Sequence, residues 1–173
     1  EGVALMRAGL GPDHPDVATD LGNLGSLYKA QGQYLQAEPL LQRALAINEN
    51  ALGHDHPSVA TDLSRLASLY CARGQYVQAE PLYQRALAID PKYFLAHYNL
   101  GIAWQDLGQL EAAVHHFESA IQIDNRHVDA WVRLGTAVGQ TGNLDRAEAC
   151  FRQAISLDDR ASLGQRFLVL LRL

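Results

Sequence analysis

Histidines and cysteines are the residues through which this chain could do chemistry. His54, Asp55 and His56 fall together in "GHDHP", and His115 and His116 in "AVHHF". Imidazole and carboxylate are zinc ligands, but a stable site needs a third donor at compatible spacing, and the turn around His54 and His56 supplies none. Neighbours on a helix point about 100° apart, which keeps His115 and His116 off a shared ion. Cys71 and Cys150 lack metal-ligand spacing and read as packed free thiols of a reducing, cytoplasmic compartment. No Ser, Cys or Thr stands in a nucleophile elbow, and no glycine-rich phosphate loop follows a strand. The acids are scattered over helix exteriors, where a solvated face is the default. The expectation is a protein that is not an enzyme, with no catalytic residue, metal or cofactor.

The elements around these residues repeat. "GPDHPDVATDL" (Gly11 to Leu21) returns forty-two residues later as "GHDHPSVATDL" (Gly53 to Leu63), and 11–48 matches 53–90 at 28 of 38 positions. Such a period marks an array in which each unit covers the apolar face of the next. In that frame Gly53 ends one helix, Pro57 suits the first turn of the next, and Asp55 and His56 are turn and cap residues.

Gly32, Gly74, Gly108 and Gly142 each sit in a short polar stretch, as a helix C-terminus that needs a left-handed residue requires. Five residues after each comes Ala37, Ala79, Ala113 or Ala147, and seven further on Ala44, Ala86, Ala120 or Ala154. Alanine at that interval keeps one helix face thin enough for close approach. Upstream of each Gly, an amphipathic stretch carries Leu24, Leu66, Leu100 or Leu134, followed by Gly25, Ala67, Gly101 or Gly135. The pattern predicts an all-α chain of helix pairs at 15–30 and 34–51, 57–72 and 76–89, 92–106 and 110–123, and 127–140 and 144–157.

Composition agrees. The 48% hydrophobic content of 173 residues suffices for a continuous core, and a net charge of −5 removes the basic excess that nucleic-acid binding needs. No apolar run approaches a membrane span, and the start shows no signal-peptide layout and no initiator Met, so a soluble piece of a longer protein is expected.

The pattern W/L-x-x-L-G/A-x-x-Y followed by G, A, F/Y/L and A closely resembles the tetratricopeptide repeat. Leu21, Leu63, His97 and Trp131 take its first position, Tyr28, Tyr70, Trp104 and Val138 its fourth, and Leu41, Tyr83, Phe117 and Phe151 the aromatic slot of the second helix. The first two units, with "G-x-D-H-P" connectors, resemble those of kinesin light chains; from Gly74 onward the period shortens to the generic thirty-four. The resemblance implies a right-handed superhelical solenoid divided as 1–10 (tail of a preceding helix), 11–52, 53–93, 94–127 and 128–160 (four repeats) and 161–173 (a capping or truncated-repeat helix).

It also implies where a ligand would lie, because the first helix of each unit lines the concave side. The outward positions there are Thr19, Gly22, Asn23, Ser26 and Lys29, then Thr61, Ser64, Arg65 and Ser68. In the later units they are Leu95, Tyr98, Asn99, Ile102 and Gln105, then Asp129, Val132, Arg133 and Thr136. One column, Asn23, Arg65, Asn99 and Arg133, precedes each Leu. A carboxamide there offers donor and acceptor to a peptide backbone, and Arg offers a fork to carboxylates. The lysine that chaperone-tail-binding members carry four residues earlier is replaced by Thr19 and Leu95. The expected function is protein–protein interaction, with an extended and acidic peptide docked over Tyr98 and Ile102. Against it stands a plain solvated face on which Arg65 and Arg133 pair with Asp62 and Asp129. The alternative function is a structural spacer or scaffold that self-assembles through 161–173 and 1–10.

Overall fold

The structure, a computed structural model, describes residues 11–157. Among these, eight α-helices account for all the regular structure: α1 Pro15–Ala30, α2 Tyr34–Leu52, α3 Pro57–Ala72, α4 Tyr76–Ile89, α5 Phe94–Asp106, α6 Leu110–Ile123, α7 Val128–Gln140 and α8 Leu144–Leu157. Each of the eight helices expected between residues 15 and 157 is present with ends displaced by at most two residues. The displaced starts have a cause: Tyr93 and His127 hold extended backbone as N-caps of α5 and α7, so these helices begin one residue after them.

Each turn between paired helices is closed by a glycine in the left-handed region, Gly32 at φ 74°, Gly74 at 71°, Gly108 at 74° and Gly142 at 90°. Three-residue connections of this kind return the chain antiparallel. Gly53, at φ 89°, ends α2, and Pro57 opens α3 behind His56, whose Nδ1 accepts from the Ser58 N–H at 3.1 Å. His14 caps α1 in the same way through Asp16. The "DHP" histidine is therefore a capping acceptor, a use of imidazole that satisfies one of the orphan N–H groups of a helix start.

The chain divides into two compact units at Pro91 and Lys92. In the first, formed by α1–α4, the core gathers Val17, Leu21, Ile47, Leu63 and Tyr83, with Leu41, Leu66 and Leu69. In the second, formed by α5–α8, Phe117, Phe151, Leu134 and Val138 form its centre. All eight spacing alanines are buried to within 1%. The Gly or Ala after each Leu explains itself in the packing. A Cβ at Gly101 would stand 2.6 Å from two ring atoms of Phe117, one at Gly135 2.7 Å from Phe151, and one at Gly25 2.7 Å from Leu41. The small residue of the first helix is thus the socket for the large residue of the second.

The expected helices 1–10 and 161–173, with the association proposed through them, lie outside the described residues.

Candidate functional site

In the first unit the column residues Asn23 and Arg65, forty-two positions apart in the chain, touch: Arg65 Nη2 donates to Asn23 Oδ1 at 3.0 Å. A side chain could not cross α1 at this point, but Gly22 leaves a notch, since a Cβ there would meet Arg65 Nη1 at 2.5 Å. Arg65 Nη1 also donates to Asp62 Oδ1 at 3.3 Å. One turn on, Lys29 Nζ donates to Ser68 Oγ at 2.6 Å, so the two first helices are tied twice along one face. Burial lowers the Lys29 ammonium below the usual lysine range, offset in part by the Cys71 thiol. Ser26 turns its hydroxyl back to the Gly22 carbonyl at 2.8 Å.

In the second unit Tyr98 stacks on Phe94 with ring centroids 5.7 Å apart and leans on Phe117 and His127. Its hydroxyl accepts from Arg133, and burial, partly countered by that guanidinium, pushes the phenol above its ordinary range. Ile102 packs on the core beneath, Asn99 is half-buried, and Thr136 donates to the Val132 carbonyl at 2.9 Å.

Several outward positions are not outward. Gly22, Ser64 and Val132 are buried, because α1, α3 and α7 turn those positions toward neighbouring helices. Asp62 likewise leaves the solvated face expected for the acids. It is 1% exposed and accepts from Asn48 Nδ2 of α2 at 2.6 Å as well as from Arg65. Burial raises its carboxyl above the usual range, while the bonds to Asn48 and Arg65 pull the other way. The sequence carried a signal for this pair: Asn48 continues the stripe Ala37, Leu41, Ala44, and Asp62 lies between Val59 and Leu66 on another. A polar residue on an apolar stripe is a buried polar group that needs a partner.

The histidines are spent on structure or on each other. His54 approaches Glu49 at 3.5 Å, a carboxylate that also takes Arg85 at 2.6 Å. His97 and His116 meet Nδ1 to Nδ1 at 3.2 Å. Among the described residues, no three His, Cys, Asp or Glu side chains gather to hold a metal ion. Nor is any described helix long and apolar enough to cross a membrane. A cavity of about 530 Å³ between α6, α7 and α8, floored by Trp131, Leu134 and Cys150 and edged by the Glu118–Arg146 pair, lies off the column positions.

The tetratricopeptide repeat model matches residues 2–49 and 21–92, and that of the cilia and flagella-associated protein 70 middle TPR-like domain matches 63–167. No curated protein matches. Among solved structures, YrrB, described as a TPR protein with an unusual peptide-binding site, is 21% identical with a TM-score of 0.69, over 86% of this chain and 73% of that one. MamA protein is 22% identical with a TM-score of 0.68, over 87% and 76%. Paired helices closed by left-handed glycines, small residues socketing large ones and family models that together span most of the sequence give one conclusion: the chain belongs to the tetratricopeptide repeat family.

Proposed function

We propose that the chain is a protein-interaction module that binds an extended, acidic peptide segment along the exposed face of its first helices. The observation that supports an anionic ligand is Lys29. Its ammonium is half-buried, yet its partner is the neutral Ser68 hydroxyl, and among the described residues no carboxylate stands within ion-pair distance. A desolvated cation beside a hydroxyl is a place where a ligand carboxylate gains most. The second unit shares the neutral partner but not the burial: Arg133 is exposed and donates to the Tyr98 hydroxyl rather than to Asp129. Beside it, Asn99 supplies a carboxamide for the backbone and Tyr98 with Ile102 an apolar shelf. Asn23 and Arg65, already bonded, would open or reorient to receive peptide groups.

The test is selection of acidic peptides from a displayed library on the intact chain, followed by anisotropy titration of the best binder against Lys29→Ala, Asn99→Ala and Arg133→Ala. Each substitution should weaken binding by about tenfold, as loss of a charge-assisted or paired hydrogen bond does, with stability moved by less than about 0.5 kcal/mol at exposed Arg133 and by about 1 kcal/mol at half-buried Lys29 and Asn99. Peptides that bind all three variants as they bind the parent would reject the reading.

A further inference from the structure

An amine, a hydroxyl and a thiol meet where the ends of α1 and α3 lie side by side in the first unit. Lys29 Nζ donates to Ser68 Oγ at 2.6 Å. Cys71 follows Ser68 by three residues in α3, which sets hydroxyl and thiol on one face of that helix with their Cβ atoms about 5–6 Å apart. After burial, the influence on the Lys29 ammonium is the charge of the Cys71 thiol, so amine and thiol stand within electrostatic reach of each other. All three side chains are partly exposed, and a small reagent can approach them.

Each group makes the next more reactive. Ser68 serves both forms of the lysine, since its oxygen accepts from the ammonium and its hydroxyl can donate to the free amine. A partly desolvated lysine whose partner is neutral is an activated amine. Cys71 stands in the last turn of α3, where the helix dipole opposes a thiolate, and the Lys29 ammonium offsets that opposition. The chain supplies its own comparisons, Cys150 for the thiol and Lys92 for the amine. Cys150 is 4% exposed, and burial pushes its thiol up. Lys92 stands exposed in the turn before α5.

We propose that Lys29 is a modification site for small acyl thioesters, with Cys71 as the relay that takes the acyl group first. The Cys71 thiolate attacks the acyl carbon. A C–S bond forms to Cys71, the donor's C–S bond breaks, and the departing thiolate takes a proton from the Lys29 ammonium. The amine so freed attacks the thioester on Cys71. A C–N bond forms, the Cys71 C–S bond breaks, and a second proton of the nitrogen goes to the sulfur. Thioester and amine become thiol and amide, once per chain and without an oxidant. The amide carries no charge, so the reaction removes the cation that supports the peptide reading. The chemistry itself goes beyond that reading and is tested without any peptide.

The experiment exposes the full chain, near neutral pH, to the acetyl thioester of N-acetylcysteamine. Peptide mass mapping then follows acetyl at Lys29, Lys92, Cys71 and Cys150, with hydroxylamine to strip it from sulfur but not from nitrogen. Lys29 should gain its amide about tenfold faster than Lys92, because the transfer is intramolecular once Cys71 carries the acyl group. Acetyl on Cys71 should appear first and fall as that on Lys29 grows. Cys71→Ala should remove the advantage of Lys29. Lys29→Arg keeps the cation and cannot take the acyl group, so a hydroxylamine-labile acetyl should persist on Cys71 while Cys150 stays unlabelled. The time courses in the parent chain decide the matter alone if either variant does not fold. Equal rates at Lys29 and Lys92 overturn the inference, as does an amide at Lys29 with no earlier acetyl on Cys71. An unchanged Lys29 rate in folded Cys71→Ala, or a folded Lys29→Arg without acetyl on Cys71, overturns it as well.

Discussion

Gly101 and Gly139 are both helical glycines, yet the structure gives them opposite roles. Around Gly101 a Cβ would strike the Phe117 ring at 2.6 Å, whereas at Gly139 the nearest atom is the Ala147 Cβ at an ordinary 3.5 Å. Gly101→Ala should therefore destabilise by about 1–3 kcal/mol through overpacking, despite the helix propensity it gains. Gly139→Ala should stabilise by up to about 1 kcal/mol. Urea midpoints of the two variants decide it, and equal shifts in one direction would contradict the socket assignment. At this scale the sequence was legible where one residue type has one use: glycine after Leu, glycine at the turn, alanine on the thin face. It was not legible where a side chain's partner comes from another repeat. Asn23 and Arg65 stood in one column on paper, but their bond depends on the notch at Gly22, and the burial of Asp62 depends on Asn48 arriving from α2.

Helix pairs carry the next consequence. Within α5 and α6, His97 and His116 share one nitrogen-to-nitrogen contact, in which one neutral ring must donate and the other accept. Burial first, and then His97 and His115 nearby, lowers His116 from 6.5 to about 4. The folded state thus binds fewer protons than the unfolded chain between those values, so the stabilising contribution is complete above the unfolded value and is lost as pH falls toward the folded one. Because the ring is only half-buried, solvent screening reduces the effect to the order of 1 kcal/mol. Urea unfolding at about pH 7 and about pH 4.5 should show this loss, and His116→Gln should flatten it. An unchanged slope in that variant would place the acid sensitivity elsewhere. Helix positions themselves were readable to within two residues because turn glycines, capping residues and apolar stripes agree. The interiors held a surprise at Pro39 and Pro81, each five residues into a second helix. Each removes the N–H that would bond the carbonyl four residues earlier, at Leu35 and Val77, whose side chains are 82% and 86% exposed. Both residues stand in solvent, where water can take a carbonyl that lacks its helical donor, so the helices can run on.

Across the whole molecule, four helix pairs divide into two compact units, and each presents first-helix side chains with polar capacity left over. Lys29 and Ser68 do so in one unit, Tyr98, Asn99 and Arg133 in the other. In the proposed function these faces, and not the second helices that carry exposed Leu35 and Val77, meet the ligand. The most direct measurement is a heteronuclear NMR map of the intact chain titrated with a library-selected acidic peptide. Docking on the first helices should give saturable shifts at Asn23, Ser26, Lys29, Arg65 and Ser68 and at Tyr98, Asn99, Ile102, Arg133 and Thr136. Shifts confined to α2, α4, α6 and α8, with the first helices silent, would contradict it.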